Sequence, residues 1–325
     1  MEGGEGASAS GARRVDSDSV LEFLSGMRSG MEQGLGPLSA AQRAAGEMPE
    51  TFRNALDTAA GRMRDTRSPS GDGWAFAPEL TRSLSPALDF LFDVWWRVAS
   101  SGVDNVPSRG GALVVANHSG SLFPFDAAMI ATAIAKRHPT PRWPHFLVLD
   151  WALSLPVVGP LIEGCGGVAA NPDNAASLLQ RDELVIAFPE GVKGTAKPFA
   201  DRYRLQPFGH GFVEVALRTG SPIVPVAVVG AEEIYPKLGE SESLANLIGA
   251  PYVPITPTFP ALGPLGLIPL PSRWRIEFCE PIDVSEHPPE AAADTDLVAE
   301  LAGRIRDLIQ RKLHENLVLR GPAFA

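Results

Sequence analysis

From residue 105 onward, short β-branched runs alternate with stretches of helical periodicity, and this alternation leaves few folds open to the chain. Residues 112–116 (ALVVA), 146–149 (FLVL), 184–188 (LVIAF), 223–229 (IVPVAVV, despite Pro225) and 274–278 (WRIEF) read as strands. Residues 126–136, 174–180 and 211–219 between them read as helices. Such alternation predicts an α/β fold, a mixed β-sheet flanked by helices. At the end, Leu297, Leu301, Ile305, Leu308, Ile309 and Leu313 recur at helical spacing. Arg304, Arg306, Arg311 and Lys312 crowd the C-terminal half of that helix, where cations suit the helix dipole.

What precedes the sheet is different. Residues 1–20 are rich in Gly, Ser and Ala and read as disordered, and residues 20–65 have only weak helical periodicity. Residues 1–78 are therefore expected to form a flexible, partly helical extension. Residues 83–100 concentrate Leu88, Phe90, Leu91, Val94, Trp95, Trp96 and Val98 around Asp89, Asp93 and Arg97. That pattern predicts an amphipathic helix. Its aromatic face suits a membrane interface, where Trp is favoured, or the domain's own sheet. Residues 101–316 are expected to form the main domain.

The chain has 325 residues and a formal net charge of −10, so a global basic field for nucleic acid is absent. Cys165 and Cys279 are far apart and fit a reducing compartment better than a disulfide scaffold. The polar N-terminus shows no secretory signal. His138, His145, His210, His287 and His314 are scattered without ligand spacing, so no metal is expected. Residues 244–271 contain no charged side chain but seven prolines. Each interior proline costs a helix roughly 3 kcal/mol, and hydrocarbon offers no replacement partners, so this stretch is not a spanning helix.

Three stretches carry chemistry. In the first, the 112–116 strand runs into Asn117 and His118, then Ser119, Gly120 and a turn, then Asp126 at a helix start. Strand ends that open into loops are where α/β enzymes place reacting groups. A histidine there can take a proton from a hydroxyl, and a carboxylate on its other ring nitrogen fixes the tautomer. Asp126 also suits a plain N-cap, and His118 a hydrogen-bonded loop position. In the second, a strand ends in Phe188, Pro189, Glu190 and Gly191. Lys193, Lys197, Arg202 and Arg204 follow, a local basic cluster able to hold a phosphate or lie solvated. The third, from Gly164 through Gly167 to Asn171, is a Gly-rich turn followed by small residues.

In this order NHSGSLFPFD, GGVAANPDNA, FPEGVKG and IVPVAVVG resemble the four blocks of the glycerolipid (lysophosphatidic acid-type) acyltransferase family. The likeness is nearest to its monoacylglycerol acyltransferase-like branch and covers residues 100–285. It implies an acyltransferase-like α/β fold, with His118 and Asp126 as a catalytic dyad and Glu190 and Gly191 binding the acceptor. Asn117, Ser119, Gly120, Gly167, Asn171, Phe188, Pro189 and Lys193 are the remaining candidate substrate-binding residues. The implied reaction moves a fatty acyl group from acyl-CoA or acyl carrier protein to a glycerolipid hydroxyl, with no cofactor beyond that co-substrate.

Two departures stand out. The family's usual spacing puts the carboxylate five residues after the histidine. Here that position is Phe123, and Asp126 stands eight residues on. The family's second block often carries an arginine for the acceptor's phosphate, and residues 167–171 have none. This favours a neutral acceptor, mono- or diacylglycerol, over lysophosphatidic acid, although Lys193 is able to substitute.

An apolar 244–271 loop lying in a bilayer interface, together with Trp95 and Trp96, would make the protein peripheral on the cytoplasmic side of a membrane. The other reading of that loop is a cover over the core. Two alternatives compete with the transferase. One is a thioesterase or lipid hydrolase using Ser119 or Ser121, although no G-x-S-x-G elbow is present. The other is a non-catalytic membrane lipid-binding protein.

Overall fold

The computed structural model describes residues 74–324 except 120–122, 155–157, 243–244, 246–251, 263–265 and 267. Most of the predicted extension, residues 1–73, thus lies outside the described residues. Residues 74–78 belong to the folded domain: Trp74 packs on the core, and the Ala77 N–H donates to the Gly164 carbonyl at 2.9 Å.

Among the described residues nine strands form in chain order: β1 (Ala99–Ser101), β2 (Ala112–Ala116), β3 (His145–Val148), β4 (Gly167–Ala169), β5 (Leu184–Ala187), β6 (Ile223–Val229), β7 (Gly239–Glu240), β8 (Pro254–Ile255) and β9 (Arg275–Phe278). Seven of them make one sheet in the order β1-β9-β6-β2-β5-β3-β4, and β7 pairs with β8 apart from it. The run β6-β2-β5-β3-β4 is parallel throughout, and β9 enters antiparallel to β6, so the sheet is mixed as expected. Val114 of β2 lies opposite Ile186 of β5 and Val224 of β6.

The helices are α1 (Pro78–Phe90), α2 (Phe125–Arg137), α3 (Asp150–Ser154), α4 (Val158–Gly164), α5 (Pro172–Gln180), α6 (Val192–Thr195), α7 (Gly211–Thr219) and α8 (Thr295–Arg320). They cover both faces. Ala112, Val114 and Ala116 pack on one side with Ile130 and Ile134 of α2. Leu113 and Val115 pack on the other with α5, α7 and α8, through Leu178, Val213 and Ile305. Every residue of β2, β5 and β6 is consequently buried. This is why these strands read as unbroken apolar runs rather than alternating ones.

The helix expected over 83–100 starts earlier and stops earlier. It continues from α1 into a π turn, Leu91–Trp95, and ends before Arg97, whose φ of 45° is incompatible with a helix. The chain leaves the helix there because Trp96 enters the core. Its indole stacks on Trp274 with ring centroids 4.8 Å apart and donates to the Leu270 carbonyl at 3.0 Å. Trp96 is therefore a core residue and not an interfacial one. Trp95 is half-buried, and its Nε1 donates to the Pro269 carbonyl at 3.0 Å. The sheet begins at Ala99 and α8 runs to Arg320, so the folded domain is wider than 101–316 on both sides. The third stretch is also more regular than a turn, since Gly167–Ala169 pairs with β3 as an edge strand.

Candidate active site

Because β2, β5 and β3 are parallel neighbours, their carboxyl ends open on one edge of the sheet. That edge gathers Asn117 and His118 after β2, Phe188 to Gly191 after β5, and Leu149 after β3. Asn117 is wholly buried and pins the end of β2 to β6. Its Nδ2 donates to the Val228 carbonyl at 3.0 Å, and its Oδ1 accepts from the Val228 N–H at 2.8 Å.

His118 stands one residue beyond that anchor. Its Nδ1 lies 2.7 Å from Oδ2 of Asp126, and its ring stacks on Phe188 at 4.3 Å and 20°. Asp126 is wholly buried in the first turn of α2. Its Oδ2 also accepts from the Ser119 N–H at 3.0 Å, and its Oδ1 from the Ala127 N–H at 2.9 Å. Burial alone would raise this carboxyl's pKa. The charge of His118 and the hydrogen bonds from His118, Ser119 and Ala127 outweigh burial, and the pKa falls below the ordinary 3.8. Asp126 is thus an ionised acceptor. It can accept a hydrogen bond from a proton on His118 Nδ1, the tautomer that leaves Nε2 as the basic nitrogen.

His118 lines a cavity of about 300 Å³ whose walls are mostly apolar, among them Val148, Trp151, Phe188, Phe212 and Val215. Pro189 and Gly191 line it as well, and Gly191 adopts φ 55°, ψ −147°, a conformation open to glycine. Asn171 borders the cavity and caps α5, its Oδ1 accepting from the Asn174 N–H at 2.8 Å.

Other expected site residues stand elsewhere. Gly167 is buried on β4 outside the cavity. A Cβ there would meet Ile162 Cγ2 at 2.3 Å, so its smallness serves the packing of α4. Lys193 is exposed on α6 and does not line the cavity. Glu190 is buried with both oxygens engaged: Oε1 accepts from the His118 N–H at 3.0 Å and Oε2 from the Gln206 N–H at 2.7 Å. It braces the His118 backbone and does not line the cavity. Ser119 Oγ is buried, the residue does not line the cavity, and its N–H donates to Asp126. Gly120 and Ser121 lie outside the described residues.

The basic cluster does not gather at this cavity. Lys197 is buried between Glu190 (3.5 Å) and Glu232 (3.1 Å), Arg204 pairs with Asp201 at 3.1 Å, and Arg202 lies over the Phe199 ring at 4.4 Å. Sequence reasoning missed Glu232 and the cavity walls. Glu232 follows the end of β6, in GAEE, much as Glu190 follows the end of β5. That parallel was the available signal. The wall residues carried none, because an apolar side chain facing a cavity reads the same as one facing the core.

Residues 97–229, which hold the dyad and all the strand ends around it, match the sequence profile of the family described as Acyltransferase. An uncharacterized protein of Mycobacterium leprae is 46% identical over 265 residues, 81% of this chain and 72% of its own length. A Gallus gallus protein named DGAT1/2-independent enzyme synthesizing storage lipids is 25% identical over 74% of this chain and 67% of its own. The 1-acyl-sn-glycerophosphate acyltransferase PlsC of Thermotoga maritima is a solved structure similar over 73% of this chain and 78% of that one, with 21% identity and a TM-score of 0.47. The extended match to relatives and the family profile over the carboxyl edge of the sheet agree with the motif blocks: the chain belongs to the Acyltransferase family and is an acyltransferase.

Proposed function

We propose that this protein transfers a fatty acyl group from an acyl thioester, acyl-CoA or acyl carrier protein, to the hydroxyl of a neutral mono- or diacylglycerol. The observation that carries the reading is the 2.7 Å contact between His118 Nδ1 and a wholly buried Asp126 at the wall of an apolar cavity. His118 Nε2 takes the acceptor's proton as its oxygen attacks the thioester carbonyl carbon. Asp126 stabilises the imidazolium that forms. The tetrahedral adduct then collapses, the C–S bond breaks, and the departing thiolate takes the proton back from His118. The thioester is already activated, so no covalent enzyme intermediate is needed. The cavity holds the acyl chain, its apolar walls replacing water around the methylenes.

A neutral acceptor is favoured because, among the described residues, no lysine or arginine lines the cavity and Lys197 is spent on two carboxylates. The storage-lipid activity in the name of the Gallus gallus relative agrees with this. The reaction takes place with the protein peripheral on a membrane. No described helix is long and apolar enough to cross one, while Leu238, Ile255, Leu262 and Ile268 expose apolar side chains in and beside the proline-rich stretch. That stretch also covers core, through Tyr252 and Val253.

The test is purified protein with labelled acyl-CoA or acyl carrier protein and a panel of neutral and phosphorylated acceptors, with products resolved by mass. Acylated mono- or diacylglycerol is the expected product. Lysophosphatidic acid as the sole good acceptor would refute the neutral assignment. Thioester cleavage without any acceptor would replace transfer by hydrolysis.

A further inference from the structure

Beneath the dyad, three ionisable side chains are packed where water does not reach. The side chains of Lys197, Glu190 and Glu232 are 3%, 0% and 7% exposed. The ammonium of Lys197 lies 3.1 Å from Glu232 Oε1 and 3.5 Å from Glu190 Oε2. Glu190 holds the His118 N–H and the Gln206 N–H, while Glu232 Oε2 holds the Tyr203 N–H at 3.1 Å. The three side chains therefore tie the loop after β2, the loop after β5, the 197–206 segment and the end of β6 to one another. A buried charge that merely stabilised the fold would be a poor choice, because an apolar replacement of similar volume often does as well. Two carboxylates around one ammonium are poorer still. Burial, and after it the neighbouring Glu190, push Glu232 up to about 7, against the pull of Lys197 and the Tyr203 N–H. An arrangement that costs this much and ends on the backbone of the base points to geometry.

We propose that Lys197 and Glu232 are positioning residues for His118, the Lys197 bridge fixing the Glu190 carboxylate that holds the His118 backbone. Glu190 is the direct brace. Lys197 stops its carboxylate from rotating out of line, and Glu232 seats Lys197. Without the bridge, the His118 ring leaves the position set by Phe188 and Asp126. A misplacement of about 1 Å at a reacting group costs on the order of 100-fold in rate. The inference rests on His118 being the base.

The test pairs kinetics with a direct view of the His118 amide. The protein holds six histidines, so ¹⁵N-histidine labelling gives six amide signals, and the one missing from His118→Gln is His118. Lys197→Met is expected to lower kcat on the order of 100-fold with KM within about twofold, and to shift the His118 amide. Lys197→Arg, which keeps the charge, is expected to recover most of both. Should Lys197→Met fail to fold, Glu232→Gln carries the test. It keeps the shape and an acceptor oxygen, and is expected to shift the same amide with a smaller loss of kcat. A folded Lys197→Met with wild-type kcat overturns the inference, as does a loss of kcat with the His118 amide unmoved. An active His118→Gln overturns the base assignment instead, and the amide signal still reports whether Lys197 holds that backbone.

Discussion

Nδ1 of His118 and Oδ2 of Asp126 are 2.7 Å apart although eight residues separate them, three more than the family's usual spacing. The start of α2 makes this possible. Asp126 occupies its first turn, and the Ser119 and Ala127 N–H groups bind the same carboxylate, so its orientation is fixed from both ends of the loop. Asp126→Asn preserves that packing but removes the charge, and its amide can offer the imidazole a donor where an acceptor is needed. By analogy with removal of the carboxylate from serine-protease triads, kcat is expected to fall about 10³- to 10⁴-fold. Steady-state rates on a folded variant check this, and a loss below tenfold would separate Asp126 from catalysis.

The same carboxylate leaves a mark on acid stability. Its folded pKa lies below the ordinary 3.8, so in the window between them the unfolded chain binds the extra proton. The stability it contributes is complete well above 3.8 and is lost as pH falls through the folded value. Urea unfolding of wild type should therefore weaken more steeply below about pH 5 than that of Asp126→Asn. Parallel slopes would mean that Asp126 is not held ionised by its partners.

Gly194 sits against the back of the site. A Cβ there would come within 2.8 Å of Glu190 Cβ, 2.9 Å of His118 Cβ and 3.0 Å of the His118 carbonyl. All three neighbours are near-backbone atoms with little freedom to yield. Gly194→Ala is expected to destabilise by about 1–3 kcal/mol and to lower kcat by more than its effect on KM. Thermal melting and kinetics together check it, and wild-type values for both would show that the loop yields freely.

How much of this was legible from residues alone follows from what each residue touches. The strands β2, β5 and β6 announced themselves because burial on both faces demands apolar side chains at every position. The contact between His118 and Asp126 was legible because strand ends and a helix start are local signals. β4 was not, since a single valine between glycine and alanine is too short a run to signal a strand, and it pairs only because β3 offers an edge. Trp95 and Trp96 are adjacent and looked alike, and only the partner Trp274, far along the chain, decides which one is core. The Lys197–Glu232 pair spans 35 residues, and a lysine in a loop reads as solvated until its partners are known.

Contact with membranes is expected to depend on the exposed apolar side chains near the proline-rich stretch. Leu238, Leu262 and Ile268 are 67%, 42% and 37% exposed. Burying such a side chain is worth roughly 1.5–3 kcal/mol, so Leu262→Glu and Ile268→Glu together should reduce vesicle flotation more than tenfold. Trp95, whose indole holds the Pro269 carbonyl, should become less quenchable by a brominated lipid in the same variant. Unchanged flotation would place the membrane contact elsewhere on the molecule.

One wall of the cavity offers the last test. Val215 on α7 and Ala175 on α5 line it and are nearly inaccessible from outside, at 2% and 3% exposure. If the acyl chain lies against them, filling this end removes room for its terminal methylenes while leaving the dyad untouched. Each buried methylene is worth about 0.8 kcal/mol, roughly a fourfold preference. Val215→Phe should therefore shift the best donor to shorter chains, with kcat/KM for short donors retained and the loss growing with each added carbon. Competition between acyl-CoA donors of different length in one reaction reads this directly. An unchanged chain-length profile in a folded Val215→Phe protein would remove the acyl chain from this cavity.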